Sequence, residues 1–258
     1  MADNLPFERT LVEPGPTLAG RSAEWTGLAE PPMRLLHAGR NRTKARVWLV
    51  GAAPRAVVVK DFSAAPAWFR WPARRLLARE ARAYEALEGL KGVPKLVFFD
   101  ERETLVLSQI EGTPLPRLAS GKLDETLFER LAALLREIHR RGVACGDLHH
   151  RNVIVDGSGT PHIVDFAMAA VRPRRPWAGG LSPREWIFRR LSELDDSALV
   201  RMRLRYLRRA ATEQERVILR RGSGLWRVGR ALKRAISSVR PGKAKAAGGE
   251  DPECGGGP

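Results

Sequence analysis

Near the middle of the chain, two short runs of Val and Ile flank a tight polar turn. The first run, NVIV, begins at Asn152, the second, HIVD, ends at Asp165, and a DGSG stretch follows the first run. β-Branched runs on either side of a Gly-containing turn predict a β-hairpin. Because a hairpin brings its two ends together, Asn152 and Asp165 are expected at one end of a small rigid element, with Asp147 in the loop before it.

These three side chains carry the kind of oxygen atom that binds magnesium. Mg²⁺ prefers hard oxygen ligands, commonly one or two carboxylates together with substrate phosphates. The amide of Asn152 and the carboxylate of Asp165 would supply such a set. A plainer interpretation stays open at this point, since an Asp or Asn before a strand often serves only as a turn former.

Five short apolar segments precede the hairpin and predict a small antiparallel sheet. MRLLHA, KARVWLV and AVVVKDF are separated by Gly- and Pro-bearing turns, and PKLVFFD and ETLVLSQI are joined by the charged turn DERE. Between the third and fourth segments, PARRLLAREARAYEALEGL repeats apolar residues at helical spacing, with Pro72 at its start and Gly89 at its end. EGTPLP follows the fifth segment and is not expected to continue a strand.

The rest of the chain is predicted to be mainly helical. DETLFERLAALLREIHRRG places five apolar residues on one face, and Asp124 stands where an N-cap belongs. From Pro183 onward the pattern is helical and basic. The chain therefore combines a small sheet in its front part with helices in its rear part.

The hairpin and its flanks resemble the catalytic loop and metal site of the protein-kinase-like superfamily. DLHHRN followed by DFA is similar to the superfamily pattern of D-x-x-x-x-N and then D-F-G. The resemblance covers roughly residues 33–200. It implies that Asp147 accepts or orients the proton of an acceptor hydroxyl, and that Asn152 and Asp165 hold Mg²⁺ on ATP.

The motifs before the hairpin also resemble those of the superfamily, and they occur in the same order along the chain. AVVVK resembles the strand that carries the nucleotide lysine, which makes Lys60 the residue expected to contact the ATP phosphates. Glu80 is its expected ion-pair partner, because it lies on the apolar face of the following helix; Glu85 is the competing choice. The SQIEGTPL stretch would form the hinge that reads adenine, with Gln109 and Glu111 as nucleotide contacts.

Other positions depart from the usual protein-kinase pattern. The phosphate-covering loop AGRNRTKA has the single glycine Gly39, and Ala167 replaces the D-F-G glycine, which is expected to restrict the backbone there. Cys145 and Gly146 precede the catalytic aspartate in place of His-Arg, and an A-P-E element is missing. These features look more like the atypical branch, which includes RIO-type kinases and the bacterial Kdo and heptose kinases of the lipopolysaccharide core.

The predicted fold class is therefore α+β, a two-lobed protein-kinase-like fold. Its N-lobe is a small antiparallel sheet with one helix, and its C-lobe is shortened and mostly helical. The predicted domain organisation is an N-terminal extension (1–32), the N-lobe (33–112), the C-lobe (113–222), a basic amphipathic helix (223–240) and a disordered tail (241–258).

The positive charge of the chain is concentrated in its last third. The chain has 45 Lys and Arg against 29 Asp and Glu, and residues 172–245 hold 21 of the bases with only 6 acids. Such a segment favours an anionic partner, either a membrane surface or RNA. Alternatively, its long arginine side chains only cover the chain's own apolar core. Trp68, Phe69 and Trp71 form an aromatic cluster that suits a membrane boundary. With only two cysteines, the chain is expected to be cytoplasmic, with peripheral attachment to the inner membrane as a further hypothesis.

The function predicted from these motifs is that of an ATP- and Mg-dependent phosphotransferase. It would transfer the γ-phosphate to a hydroxyl, either of a protein Ser or Thr or of a lipopolysaccharide-core sugar. The alternative is a catalytically weak pseudokinase, or a basic module that binds RNA or a membrane.

Overall fold

The computed structural model describes residues 22–38, 43–100, 103–118, 123–172 and 182–222. Gly39, the predicted basic helix 223–240 and the predicted tail 241–258 lie outside the described residues. In the described part, a five-stranded antiparallel sheet precedes a mainly helical region, in the order that the sequence predicts. No described helix is both long enough and apolar enough to cross a membrane.

The five predicted apolar segments form one sheet. Its strands, in the spatial order β1-β2-β3-β5-β4, are β1 (Met33–His37), β2 (Arg46–Val50), β3 (Val57–Asp61), β4 (Leu96–Asp100) and β5 (Thr104–Ser108). Alternation along β3 buries Val57 and Val59 in a cluster on one face and leaves Lys60 on the other. Lys60 pairs with Leu105 of β5, so it shares the face that meets the rest of the molecule.

The outer face of the sheet is covered by a short helix, α1 (Ser22–Thr26), that precedes β1. The Trp25 ring lies 5.9 Å from the Phe98 ring of β4. Both side chains pack against the cluster that contains Val57 and Val59. Part of the predicted N-terminal extension therefore packs against the sheet.

The helix after β3, α2 (Ala67–Ala86), begins earlier than the sequence pattern indicates. Pro72 was predicted at its start, but it lies in the second turn, and Pro66 occupies the N-cap position. Proline lacks an N–H, so the carbonyl of Trp68 has no partner four residues on. An exposed first turn tolerates this loss, which explains why apolar periodicity alone placed the boundary too late.

Two small sheets belong to the C-lobe. One contains β6 (Thr113–Pro114), β8 (Val153–Val155) and β9 (Pro161–Ile163), and the other contains β7 (Val143–Ala144) and β10 (Ala170–Val171). EGTPLP was not expected to form a strand, yet Thr113 and Pro114 pair with β8. Proline is tolerated here because β6 is an edge strand of this sheet. Among the described strands it pairs only with β8, which pairs with β9 on the opposite side.

Three helices complete the described part of the C-lobe: α3 (Glu125–Arg140), α4 (Pro183–Leu207) and α5 (residues 213–222). The predicted N-cap of α3 is confirmed, because Asp124 accepts a hydrogen bond from the Leu127 N–H at 2.8 Å. The helical pattern from Pro183 is interrupted between α4 and α5, where Arg208 adopts a φ of +50°. α4 spans 25 residues and packs against α3, β7 and β10.

One hydrophobic core joins the two lobes. It contains Leu77 and Tyr84 of α2, Leu105 of β5, Leu131 of α3 and Phe166 next to the hairpin. Since these residues are essentially inaccessible to solvent, α2 and the hairpin are held in a defined relative position.

Candidate functional site

An ammonium–carboxylate cluster lies where β3, α2 and the end of the hairpin meet. Lys60 Nζ lies 2.6 Å from Glu80 Oε1 and 2.8 Å from Asp165 Oδ1. Lys60 and Asp165 are 105 positions apart in the chain. The Lys60 and Glu80 side chains are largely buried, whereas 45% of the Asp165 side chain is exposed. Asp165 is therefore the member of the cluster that a ligand can reach.

The periodicity of α2 determines which glutamate pairs with Lys60. Glu80 is buried on the same face as Leu77 and Tyr84, and it forms the ion pair. Glu85, five residues on, lies on the exposed side of the helix. The choice of Glu80 over Glu85 in the sequence analysis thus agrees with the contact, while a role of Glu80 toward a nucleotide stays a prediction.

The ion pairs keep Lys60 charged. Burial alone would lower the pKa of the Lys60 ammonium, but the carboxylates of Glu80 and Asp165 raise it above its usual value. Burial likewise opposes ionisation of Asp165, and the Lys60 charge nevertheless lowers the pKa of that carboxyl. The cluster therefore presents an ionised carboxylate beside a cation at neutral pH.

Asp165 is held in an unusual backbone conformation. Its φ is +70°, in the left-handed region, which Asp tolerates better than most residues. Its N–H donates to the Tyr84 hydroxyl at 3.3 Å, and the next residue, Phe166, is fully buried with its ring edge-on to Tyr84 at 5.1 Å. The buried Phe166 anchors this turn, so that the Asp165 side chain faces Lys60.

Ala167 does not restrict the backbone as the sequence analysis expected. The non-glycine residues with positive φ in the described part of the chain are Asp165 and Arg208, so Ala167 has ordinary backbone geometry. Its carbonyl accepts a hydrogen bond from the Arg79 guanidinium of α2. Sequence reasoning missed Arg79, which ties the segment after Asp165 to the helix that carries Glu80.

Hydrogen bonds connect Asn152 to Asp147 and to the residue before Asp165. Its side-chain Nδ2 donates to the Asp147 carbonyl at 3.2 Å, and its own carbonyl accepts from the Val164 N–H at 2.9 Å, directly before Asp165. Asn152 is 8% exposed. Asp147 is exposed, and no described residue bonds to its carboxylate. The structure therefore brings Asp147, Asn152, Asp165 and Lys60 into one connected region.

The loop before Asp147 is held by a buried aspartate that sequence reasoning missed. Asp195 of α4 accepts hydrogen bonds from the N–H groups of Cys145 and Gly146 at 2.7 and 3.0 Å. His139 Nε2 of α3 lies 3.2 Å from the same carboxylate. Asp195 is 1% exposed. A buried carboxylate of this kind needs partners, but no local pattern in DDSALV identifies them.

The predicted hinge connects β5 to β6. The Gln109 N–H donates to the Ala56 carbonyl at 3.0 Å, while Glu111 is exposed. Gly112, which the sequence analysis did not single out, lies against β8: a Cβ at this position would be 2.4 Å from the Val155 carbonyl oxygen. The hinge thus depends on a glycine for close backbone approach rather than for a positive φ.

The donor set suits a nucleotide-bound magnesium ion better than a metal held by protein alone. Asn152 uses its amide NH₂ in the bond to Asp147, which leaves its side-chain oxygen as the group available to a metal. Together with Asp165 it supplies one amide oxygen and one carboxylate, and substrate phosphates would complete such a site. No group of three or more His, Cys, Asp or Glu side chains able to hold a metal occurs among the described residues.

Comparisons with curated proteins support a kinase-like region. No protein-family model matches the chain. The chain is 32% identical over 149 residues to a protein described as "Probable SapB synthase" from Streptomyces coelicolor, which covers 50% of this chain and 15% of that protein. It is 28% identical over 78 residues to the 3-deoxy-D-manno-octulosonic acid kinase of Xylella fastidiosa, which covers 30% of this chain and 31% of that kinase. The chain thus spans less than a third of the length of either curated relative.

The fold is similar to that of a Rio2 kinase. The structure of the Rio2 kinase–ADP/Mg²⁺–phosphoaspartate complex from Chaetomium thermophilum superposes with a TM-score of 0.55 and 17% identity. The match covers 76% of this chain and 61% of the Rio2 chain. The predicted fold class is therefore confirmed, and the Kdo kinase and Rio2 kinase matches agree with the resemblance stated in the sequence analysis.

Proposed function

We propose that this chain is an ATP-dependent phosphotransferase that uses Mg²⁺ and transfers the γ-phosphate of ATP to a hydroxyl group. The observation that carries the proposal is the cluster in which Lys60 Nζ contacts both Glu80 and Asp165. Lys60, Asp165 and Asn152 are the motif residues to which kinase-like chemistry assigns the nucleotide and its metal. Both a Kdo kinase and the Rio2 kinase fold among the relatives support this class of reaction.

Each side chain in the region has a distinct task in the proposed reaction. Lys60 holds the α- and β-phosphates, and Glu80 keeps its ammonium oriented. Asn152 and Asp165 would hold Mg²⁺, which would neutralise charge on the phosphates. Asp147 accepts the proton of the acceptor hydroxyl, whose oxygen forms a bond to the γ-phosphorus while the bond to the ADP oxygen breaks. Gln109, Glu111 and Gly39 remain predicted nucleotide contacts.

The acceptor is proposed to be a hydroxyl of a lipopolysaccharide-core sugar or of a protein Ser or Thr. The name of the Xylella relative supports the sugar. Incubation of the chain with γ-labelled ATP and with a cell-envelope fraction or a lysate separates the two, since the label enters either lipid-linked sugar or polypeptide. A cytoplasmic location, with contact to an anionic membrane or to RNA, belongs to the same proposal.

Matched substitutions test the assigned roles. Asp147→Asn should lower turnover by about a hundredfold or more with nearly unchanged Mg-ATP binding, because this residue acts on the acceptor.

Lys60→Met and Asp165→Asn should instead weaken Mg-ATP binding in a thermal-shift titration. Glu80→Gln should lower activity, whereas Glu85→Gln, on the exposed side of the same helix, should not. Normal Mg-ATP affinity in both Lys60→Met and Asp165→Asn would refute the assignment.

A nucleotide-binding scaffold without turnover is the second candidate function. It is favoured by the direct 2.8 Å contact between Lys60 and Asp165, because Asp165 Oδ1 is already engaged by a cation of the chain itself. A scaffold of this kind would bind Mg-ATP and transfer no label to any fraction. Transfer that Asp147→Asn abolishes would exclude it.

A further inference from the structure

The side of α2 opposite the ion-pair cluster carries mainly aromatic and basic side chains, with Glu85 as its one acid. Trp68, Trp71, Arg74, Arg75 and Arg82 recur at helical spacing and share this side, which is called the α2 outer face below. All five residues are exposed, Trp68 by 72% and Trp71 by 62%. Two largely exposed indoles on one helix face are unusual, because tryptophan is normally well buried.

The arginines of this face have no carboxylate partners. Among the described residues, no acidic side chain forms an ion pair with Arg74, Arg75 or Arg82. On the same helix, Glu80 points inward to Lys60, and Glu85 lies on the arginine side without forming an ion pair with any of the three. Several arginines of the C-lobe differ in this respect, because they pair with the chain's own glutamates: Arg172 with Glu185, Arg203 with Glu125, and Arg209 with Glu215.

A cleft between α2 and the edge strand β4 extends this surface. Its volume is about 440 Å³. Three arginines and one indole of the α2 outer face line it together with Phe99 of β4, and Glu85 is the only acid in its wall. The cleft therefore combines an apolar floor with several cationic groups, which suits a phosphate ester that carries an apolar portion.

We infer that the α2 outer face docks on the surface of an anionic lipid bilayer. Tryptophan rings prefer the interface between headgroups and acyl chains, and arginines beside them attract the phosphates of acidic lipids. The Arg75 guanidinium lies 4.1 Å from the centre of the Trp71 ring and covers one of its faces. That stacking leaves the indole less suited to intercalate between nucleic-acid bases, and so favours a lipid surface over RNA.

The remainder of α2 holds this face in a fixed position. Phe69, between the two tryptophans, packs toward the Phe62 ring at 6.4 Å, and Leu77 is buried in the core. The docking face and the Lys60–Glu80 pair thus lie on opposite sides of one helix, about 10 Å apart. This inference assigns the membrane contact of the proposed function to one face of the molecule, and it does not depend on phosphotransfer, because bilayer binding needs no nucleotide.

Vesicle co-sedimentation of the full chain without nucleotide tests the inference. We expect binding to vesicles of phosphatidylcholine with about 30% phosphatidylglycerol, little binding to pure phosphatidylcholine, and loss of binding in about 0.5 M NaCl. The triple variant Arg74→Gln/Arg75→Gln/Arg82→Gln should weaken binding on the order of a hundredfold, since each basic residue near such a surface contributes about 1 kcal/mol.

The matched control removes the same charge from the C-lobe. Arg184, Arg205 and Arg221 are exposed, and no described carboxylate pairs with them, so changing all three to Gln should alter vesicle binding only about twofold. Equal losses in the two triple variants would overturn the inference, because the net charge rather than the α2 outer face would then decide binding. Tight RNA binding without vesicle binding would overturn it as well.

Fluorescence provides a readout that survives if the charge variant folds poorly. Brominated lipids quench tryptophans that enter the interface, and Trp68 and Trp71 should be the tryptophans quenched. The variant Trp68→Phe/Trp71→Phe should bind vesicles and lose most of this quenching. Unchanged quenching in that variant would show that other tryptophans contact the lipid, and would refute the assignment of the α2 outer face. Normal Mg-ATP binding beside absent vesicle binding would refute this inference alone.

Discussion

At the scale of single residues, backbone conformation explains which departures from the kinase pattern matter. In the segment proposed to bind magnesium, Asp165 has the left-handed backbone conformation, while Ala167 does not. Comparison with the D-F-G motif directs attention to the third residue, because a glycine is expected there. In this chain the strained position is the first residue, and Asp accommodates it.

Ala167→Gly should therefore leave the protein nearly unchanged. The Ala167 carbonyl keeps its bond to Arg79 in this variant, and the substitution relieves no strain. We expect the Mg-ATP affinity to change by less than about twofold and the free energy of unfolding to fall by about 0.5–1 kcal/mol, since glycine adds freedom to the unfolded chain. Titration and urea unfolding measure the two quantities. A large gain in affinity would show that Ala167 does constrain the site.

Gly112→Ala should destabilise the hinge. The new methyl group would lie 2.4 Å from the Val155 carbonyl oxygen, so either β8 or the hinge must move. We expect a loss of about 1–3 kcal/mol in the free energy of unfolding. The control is Gly157→Ala, because a Cβ at residue 157 has no neighbour within 4 Å. Equal effects of the two substitutions would contradict this explanation.

At the scale of elements, the β8–β9 hairpin positions both Asn152 and Asp165, and its turn is held by one carboxylate. Asp156 accepts hydrogen bonds from the N–H groups of Ser158 and Thr160 and lies 2.9 Å from His162 Nε2. Burial opposes ionisation of Asp156, but these hydrogen bonds, that of His162 foremost, hold the pKa of Asp156 well below its usual range. The turn is thus most stable with an ionised carboxylate.

Asp156→Asn should lower the stability in a pH-dependent way. The pKa of Asp156 is depressed in the folded state. Its contribution to the free energy of unfolding is therefore complete above the pKa of about 4 in the unfolded chain, and it is lost as the pH falls toward the lower pKa of the folded state. We expect the variant to be less stable by about 1 kcal/mol at neutral pH, with a smaller difference below pH of about 4. Urea unfolding across this pH range measures the effect, with Asp147→Asn as control, and a pH-independent difference would contradict it.

At the scale of the whole molecule, α4 supports the loop that carries Asp147, the proposed catalytic residue. Asp195 joins α4 to the backbone before Asp147, and His139 of α3 contacts the same carboxylate. Because Asp195 is buried, its bonds have no competition from water. The position of Asp147 therefore depends on the packing of two helices that contribute no side chain of their own to the Lys60 cluster.

Asp195→Asn should weaken the support of the loop before Asp147 and leave nucleotide binding nearly unchanged. An Asn side chain offers one acceptor oxygen in place of two, so one of the Cys145 and Gly146 N–H groups loses its partner. We expect a loss of about 1–3 kcal/mol in stability and lower phosphate transfer at nearly unchanged Mg-ATP affinity. Asp196→Asn is the control, since that neighbouring side chain is 49% exposed. Weakened Mg-ATP binding in Asp195→Asn would argue against a role confined to the loop.

The sequence by itself determined the elements that have a local signal. The five strands of the front sheet, the N-cap of α3 and the β8–β9 hairpin follow from apolar periodicity, a capping residue and turn chemistry, all of which act over a few residues. The order of Lys60, Asp147, Asn152 and Asp165 came from the resemblance to the motifs of the protein-kinase-like superfamily, each of which spans only a few residues.

Only the tertiary structure decided what depends on contacts between distant segments. The two-residue strands β7 and β10 have no signal of their own and exist because they pair with each other. Three sets of contacts join residues that are far apart in sequence. They are the ion pair of Lys60 with Asp165, the hydrogen bond from Arg79 to the Ala167 carbonyl, and the buried hydrogen bonds of Asp195. Local pattern cannot encode such contacts, because they form only when the common core fixes α2, α4 and the hairpin against one another.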